Sequence, residues 1–101
     1  MSRIDQLQKL LATEPEDAFL NFGLAMELAK VQRFDESLAQ FEKTISIDPN
    51  YIAAYFQKAR TLLAMGDDET AKEQLKRGIA QAAACGELHA KGEMEDLLAS
   101  L

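Results

Sequence analysis

Pro15 and Pro49 are the two prolines of this chain, and they stand 34 residues apart. Proline has no amide proton and a fixed φ angle, so a helix does not run through it undisturbed. The residue in front of each, Glu14 and Asp48, is also pushed out of helical geometry. Asp48-Pro49-Asn50-Tyr51 therefore reads as a helix stop followed at once by a new start. It lies between one apolar-periodic stretch ending at Ile47 and another beginning at Ile52. Glu14-Pro15-Glu16-Asp17 does the same job one period earlier. Stops at a fixed spacing point to a repeat architecture.

The 101 residues fit one domain able to bury a core without covalent staples. Ala, Leu, Glu, Lys and Gln dominate and only five Gly occur, which favours helix. The net charge of −6 argues against nucleic acid or anionic lipid as the main partner. A single Cys85 has no second cysteine in the chain to pair with, so nothing points to an oxidising compartment. Asp5 interrupts the start before any signal-peptide core forms, and no apolar run approaches a membrane span. The expectation is a soluble, cytoplasmic protein.

Apolar residues at helical spacing predict helices over residues 2–12, 18–31, 35–47, 52–64, 68–84 and 87–99. Glu16 or Asp17, Asp35 and Asp67 are placed to cap the helices that follow them. Gly66 supplies a left-handed turn, and the alanine-rich end of the fifth helix runs to about Cys85-Gly86. The stretch 18–31 is apolar nearly all round and must be covered on more than one side. Its short connection to residues 35–47 makes the two an antiparallel hairpin.

A shift of 34 pairs Leu7 with Phe41 and Leu75, Leu11 with Ile45 and Ile79, and Ala25 with Ala59. It also pairs Leu28 with Leu62, Phe22 with Phe56, and Ser37 with Ala71. Small residues recur where helices approach closely, and large ones where a gap must be filled. On these residues the chain resembles the tetratricopeptide repeat (TPR) family. Gln32 stands where that family prefers Gly, Asp68 where it prefers an aromatic, Lys58 for its Leu and Ala83 for its closing Pro.

The resemblance implies an all-α fold, a right-handed superhelical stack of antiparallel helix hairpins. Residues 1–101 then form a single TPR-like domain. Residues 1–17 are an N-terminal half repeat, 18–51 and 52–85 two full repeats, and 86–101 a C-terminal capping helix. The expected core comprises Leu7, Leu11, Leu24, Ala25, Leu28, Phe41, Ile45, Ala59, Leu62, Leu75 and Ile79.

It further implies that the first helices of successive repeats line a concave groove holding a peptide or helix of another protein. The mapped positions are Phe19, Phe22, Met26 and Lys30 from one repeat, and Ala53, Phe56, Arg60 and Leu63 from the next. Such a groove is largely apolar with one or two cations on its rim. The plain alternative is that these residues are core, or are covered by the last helix or by a second copy of the chain. Members that grip a terminal carboxylate use Lys and Asn side chains; here Phe22 and Met26 occupy the first pair of those positions, which argues against that use.

Cys85 and His89 are four apart, a spacing open to a thiolate–imidazole pair or half a metal site. Gly86 lies between them and no other Cys or His completes a ligand set, which favours a small buried Cys and a surface His. The acidic runs Asp67-Asp68-Glu69 and Glu93 to Asp96 lack the spacing of a calcium loop. No phosphate loop or catalytic serine motif occurs. The function expected is therefore a non-enzymatic protein-binding module without cofactor, metal, nucleic acid or membrane. Its alternative is a self-associating scaffold subunit buried in a homo-oligomer.

Overall fold

Six helices and no strand make up residues 2–101, the residues that the computed structural model describes. They are α1 (Arg3–Thr13), α2 (Ala18–Lys30), α3 (Phe34–Ile47), α4 (Ile52–Ala64), α5 (Asp68–Cys85) and α6 (Leu88–Ala99). Local chemistry sets most of their ends. Ser2 and Asp5 close a capping box at the start of α1. Asp17 accepts from the Leu20 amide at 2.9 Å and Asp67 from the Thr70 amide at 3.2 Å, each satisfying a free first-turn donor. Asp35 is not the cap expected of it. Helix α3 already begins at Phe34, so Asp35 lies within the first turn, where its charge favours the helix N-terminus.

The turns inside the hairpins are built alike. Gln32 (φ 62°) and Gly66 (φ 82°) are both left-handed. One residue on, the amides of Arg33 and Asp67 donate to the carbonyls of Leu28 and Leu62, each at 2.9 Å. Gly86 (φ 79°) ends α5 in the same way, with the Glu87 amide on the Ala82 carbonyl at 2.9 Å.

Each helix packs on the next in the chain, and α2 is covered by α1, α3 and α4, as its all-round apolar character requires. The backbones of α2 and α4 approach each other, as do those of α4 and α6. No such approach joins α1, α3 and α5 among the described residues. The row α2–α4–α6 is thus the tighter, inner side of a curved stack. The molecule is 17 Å across its thinnest dimension, close to two layers of helices about 10 Å in diameter. The fold is an all-α helical-repeat solenoid.

Small residues sit where helices touch: Ala25, Ala54, Ala59 and Ala71 are fully buried, with Phe41, Leu75 and Met94 filling the gaps. Ser37 donates its hydroxyl to the Ala25 carbonyl at 2.7 Å, tying α3 to α2. At Gly78 a Cβ would stand 2.7 Å from both the Met94 sulfur and the Tyr55 Cβ, so α4, α5 and α6 meet there only around a glycine. Two expected core residues, Leu11 and Ile79, are half-buried. Each belongs to a terminal hairpin with no further helix on its outer side; Leu11 lines a hollow near Gln40 and Lys43, and Ile79 one near Leu98. Cys85 is likewise half-buried.

Lys58, the departure from the family's usual Leu, has a charge partner. Its Nζ meets a Glu42 oxygen at 2.8 Å, and Arg77 grips both Glu42 oxygens at 2.8 Å while lying 5.2 Å over the Tyr55 ring. One carboxylate on α3 therefore ties down cations from α4 and α5.

Candidate functional site

The inner row exposes two adjoining clefts. The first, about 260 Å³, lies between α2 and α4 and is lined by Met26, Ala29, Lys30, Phe34, Gln57, Arg60, Thr61 and Ala64. The second, about 360 Å³, lies between α4 and α6 and is lined by Ile52, Ala53, Phe56, Gln57, Arg60, Glu87, Ala90 and Glu93. Gln57 and Arg60 belong to both, so α4 is the ridge on which the clefts meet. Helical spacing produces this directly. Ala53, Phe56, Gln57 and Arg60 fall three or four residues apart and share a face.

Arg60 is the most informative side chain. Its guanidinium carbon lies 5.9 Å from the Phe56 ring centroid, a cation–π contact. Among the described residues it makes no ion pair, whereas Lys43, the cation of a 450 Å³ hollow lined by residues of α1, α2 and α3, is held by Glu16 at 3.0 Å. Lys30 is exposed and its amine lies 3.4 Å from Glu27. The surface the clefts present is mostly methyl, methylene and ring, with charge at its edges.

The sequence-derived groove residues divide. Met26, Lys30, Phe56 and Arg60 line the clefts, as does Ala53. Phe22 is turned inward, edge-on to Phe41 at 5.8 Å and tilted on Tyr51 at 5.0 Å, so it fills the α2–α4 gap from beneath. Phe19, 68% exposed in the first turn of α2, lines neither cleft, nor does the half-buried Leu63. Sequence reasoning missed Glu87, Ala90 and Glu93. They are the wall contributed by α6, whose start follows that of α4 by 36 residues (52 to 88), not the 34 (18 to 52) that separates α2 from α4.

Cys85 and His89 do not share a helix. The left-handed Gly86 ends α5 between them, and His89 is solvent-facing with Glu93 at 3.4 Å. Among the described residues no group of three or more His, Cys, Asp or Glu is placed to hold a metal ion. No helix there is long and apolar enough to cross a membrane.

A curved stack of helix hairpins with an apolar inner groove defines a class of helical-repeat proteins, and comparison specifies the family. The tetratricopeptide repeat family model matches residues 28–92, so the chain belongs to that family. It is 29% identical over 98 residues to a TPR repeat-containing protein of Pseudomonas aeruginosa, covering 97% of this chain and 93% of that one. The solution structure of a Bordetella parapertussis protein superposes with a TM-score of 0.85 at 25% identity, covering 99% of this chain and 87% of that one. The TPR2B domain of yeast Sti1, solved in complex with pHsp70, matches with a TM-score of 0.86 at 28% identity; the match covers 94% of this chain and 76% of that one. The family resemblance read from the 34-residue register is thereby borne out.

Proposed function

We propose that this chain is a non-enzymatic protein-interaction module that holds a segment of another protein in the groove between α2, α4 and α6. The division of labour follows the repeats, with 18–51 and 52–85 as the stacked units, 1–17 as a leading half repeat and 86–101 as the closing segment. One observation carries the reading: Arg60, without an ion-pair partner among the described residues, lies over Phe56 where two apolar-lined clefts join. A stacked guanidinium orders a bound backbone or carboxylate at little entropic cost, while Met26, Phe56 and Ala90 offer the apolar contact. The neighbour from yeast, a complex with pHsp70, supports the same mode of use.

The test is affinity capture from the native lysate with wild type beside Ala53→Asp and Arg60→Glu. Both residues are exposed, so neither change disturbs the core. Partners that drop out with both variants support the groove; partners retained equally by all three proteins reject it.

A second reading, self-association through the end helix, is favoured by a separate apolar hollow. It lies between α5 and α6 and is lined by Ile79, Ala80, Leu98 and Ala99 with Lys76 and Glu95 at its edges. Light scattering over a concentration series decides it, since a strict monomer removes this reading.

A further inference from the structure

The two clefts carry opposite charge. The cleft between α2 and α4 contains Arg60 and Lys30, whose amine lies 3.4 Å from Glu27 outside the lining, and no lining carboxylate. The cleft between α4 and α6 has Glu87 and Glu93 on its far wall, across from Arg60. Among the described residues Glu87 makes no side-chain ion pair, and Glu93 meets the exposed His89 at 3.4 Å. Packed helices are spaced about 8–10 Å apart, so Lys30 on α2 and the carboxylates on the α6 side are separated by roughly 20 Å, with Arg60 and the Phe56 ring on α4 between them. An extended chain covers that distance in about six residues.

Resting on the groove reading above, we infer that the occupant is a partner-protein segment with a polarised charge pattern. It places an acidic side chain against Lys30 and Arg60, a bulky apolar side chain on Phe56, and a basic side chain against Glu87 and Glu93. Uniformly acidic and uniformly basic segments are both disfavoured, because each meets one pole of its own sign. Like-charge contacts discriminate among partners more strongly than opposite-charge contacts attract them.

The experiment is selection of random dodecapeptides displayed on phage against three immobilised full-length proteins: wild type, Lys30→Glu/Arg60→Glu, and Glu87→Lys/Glu93→Lys. Circular dichroism confirms that all three are folded. Wild type enriches peptides in which an acidic and a basic residue flank a bulky apolar one at a separation of about six residues. The first variant enriches peptides without the acidic residue and the second peptides without the basic one. The best wild-type peptide binds each variant at least about tenfold more weakly. Enriched peptides that lose binding with Ala53→Asp but carry no charge pattern, or the same pattern with all three proteins, overturn the polarity and leave the groove standing. Failure to enrich any peptide that depends on Ala53 overturns both.

Discussion

Asn21 and Tyr55 stand 34 residues apart and reach back to the same place in successive turns. The Asn21 amide donates to the Pro15 carbonyl at 3.1 Å, and the Tyr55 hydroxyl donates to the Pro49 carbonyl at 2.7 Å. Asn21 also donates to the Asp17 carbonyl at 2.8 Å. A proline stops one helix, and a side chain one turn into the next helix latches the stopped end. Tyr55→Phe removes the latch without opening a cavity and costs about 1 kcal/mol. Asn21→Leu costs about as much or more, since two carbonyls lose a donor. Urea unfolding checks both, and an unchanged midpoint in both variants contradicts the latch.

Gln32 occupies the left-handed position that Gly66 holds one repeat later. A side chain there costs roughly 1–2 kcal/mol relative to an unstrained site, and glycine relieves it at some cost in chain entropy. Gln32→Gly therefore raises stability by about 1 kcal/mol, and Gly66→Gln lowers it by a similar amount. Thermal melts of the two variants should move in opposite directions.

Glu42 gives the molecule an acid-sensitive tie. Hydrogen bonds from Arg77 and, to a smaller extent, Lys58 outweigh the effect of burial and hold its carboxyl at about 2, below its ordinary 4.5. A carboxylate lowered on folding stabilises the fold above its unfolded value, and that contribution disappears as pH falls from 4.5 to about 2. Because the side chain is 45% exposed, solvent screens the contribution to roughly 1 kcal/mol at neutral pH. Glu42→Gln lowers stability at pH 7 by that amount and flattens the acid limb of the stability curve. An unchanged acid limb in the variant assigns the decline to other carboxylates.

Gly78 is a packing requirement. Gly78→Ala drives a methyl against the Met94 sulfur and the Tyr55 Cβ, and overpacking of this kind costs roughly 1–3 kcal/mol. Better helix propensity returns about 1 kcal/mol, leaving a net loss of about 1 kcal/mol. Pairing it with Met94→Ala, which vacates the flexible half of the clash, reduces the penalty attributable to Gly78→Ala. A strictly additive double variant contradicts the contact.

Most of the fold is legible in the sequence because its determinants are local or periodic. Pro15 and Pro49 mark the stops, Asp17 and Asp67 the starts, and Ala25, Ala59 and Ala71 the close approaches. What is not legible depends on distant partners. Lys58 meets Glu42 and, through it, Arg77 on a third helix, so its place in a mostly apolar position makes sense only in three dimensions. Leu11 and Ile79 carry core-like spacing yet lie in the terminal hairpins, where periodicity says nothing about which neighbour is missing. At the groove, Phe22 and Phe56 occupy equivalent register positions but differ in surroundings. Tyr51 and Phe41 draw Phe22 inward, whereas Phe56 lines the cleft beside α6. The α6 wall escaped because Gly86, not a proline, ends α5, and the register shifts by two residues.

The most direct measurement is a two-dimensional NMR titration of the isotope-labelled full chain with its best bound peptide. Backbone amides of Met26–Lys30, Ile52–Arg60 and Glu87–Glu93 should shift, and those on the outer faces of α1, α3 and α5 should stay in place. Shifts confined to the outer helices, with the inner row unmoved, would contradict a groove built on Phe56 and Arg60.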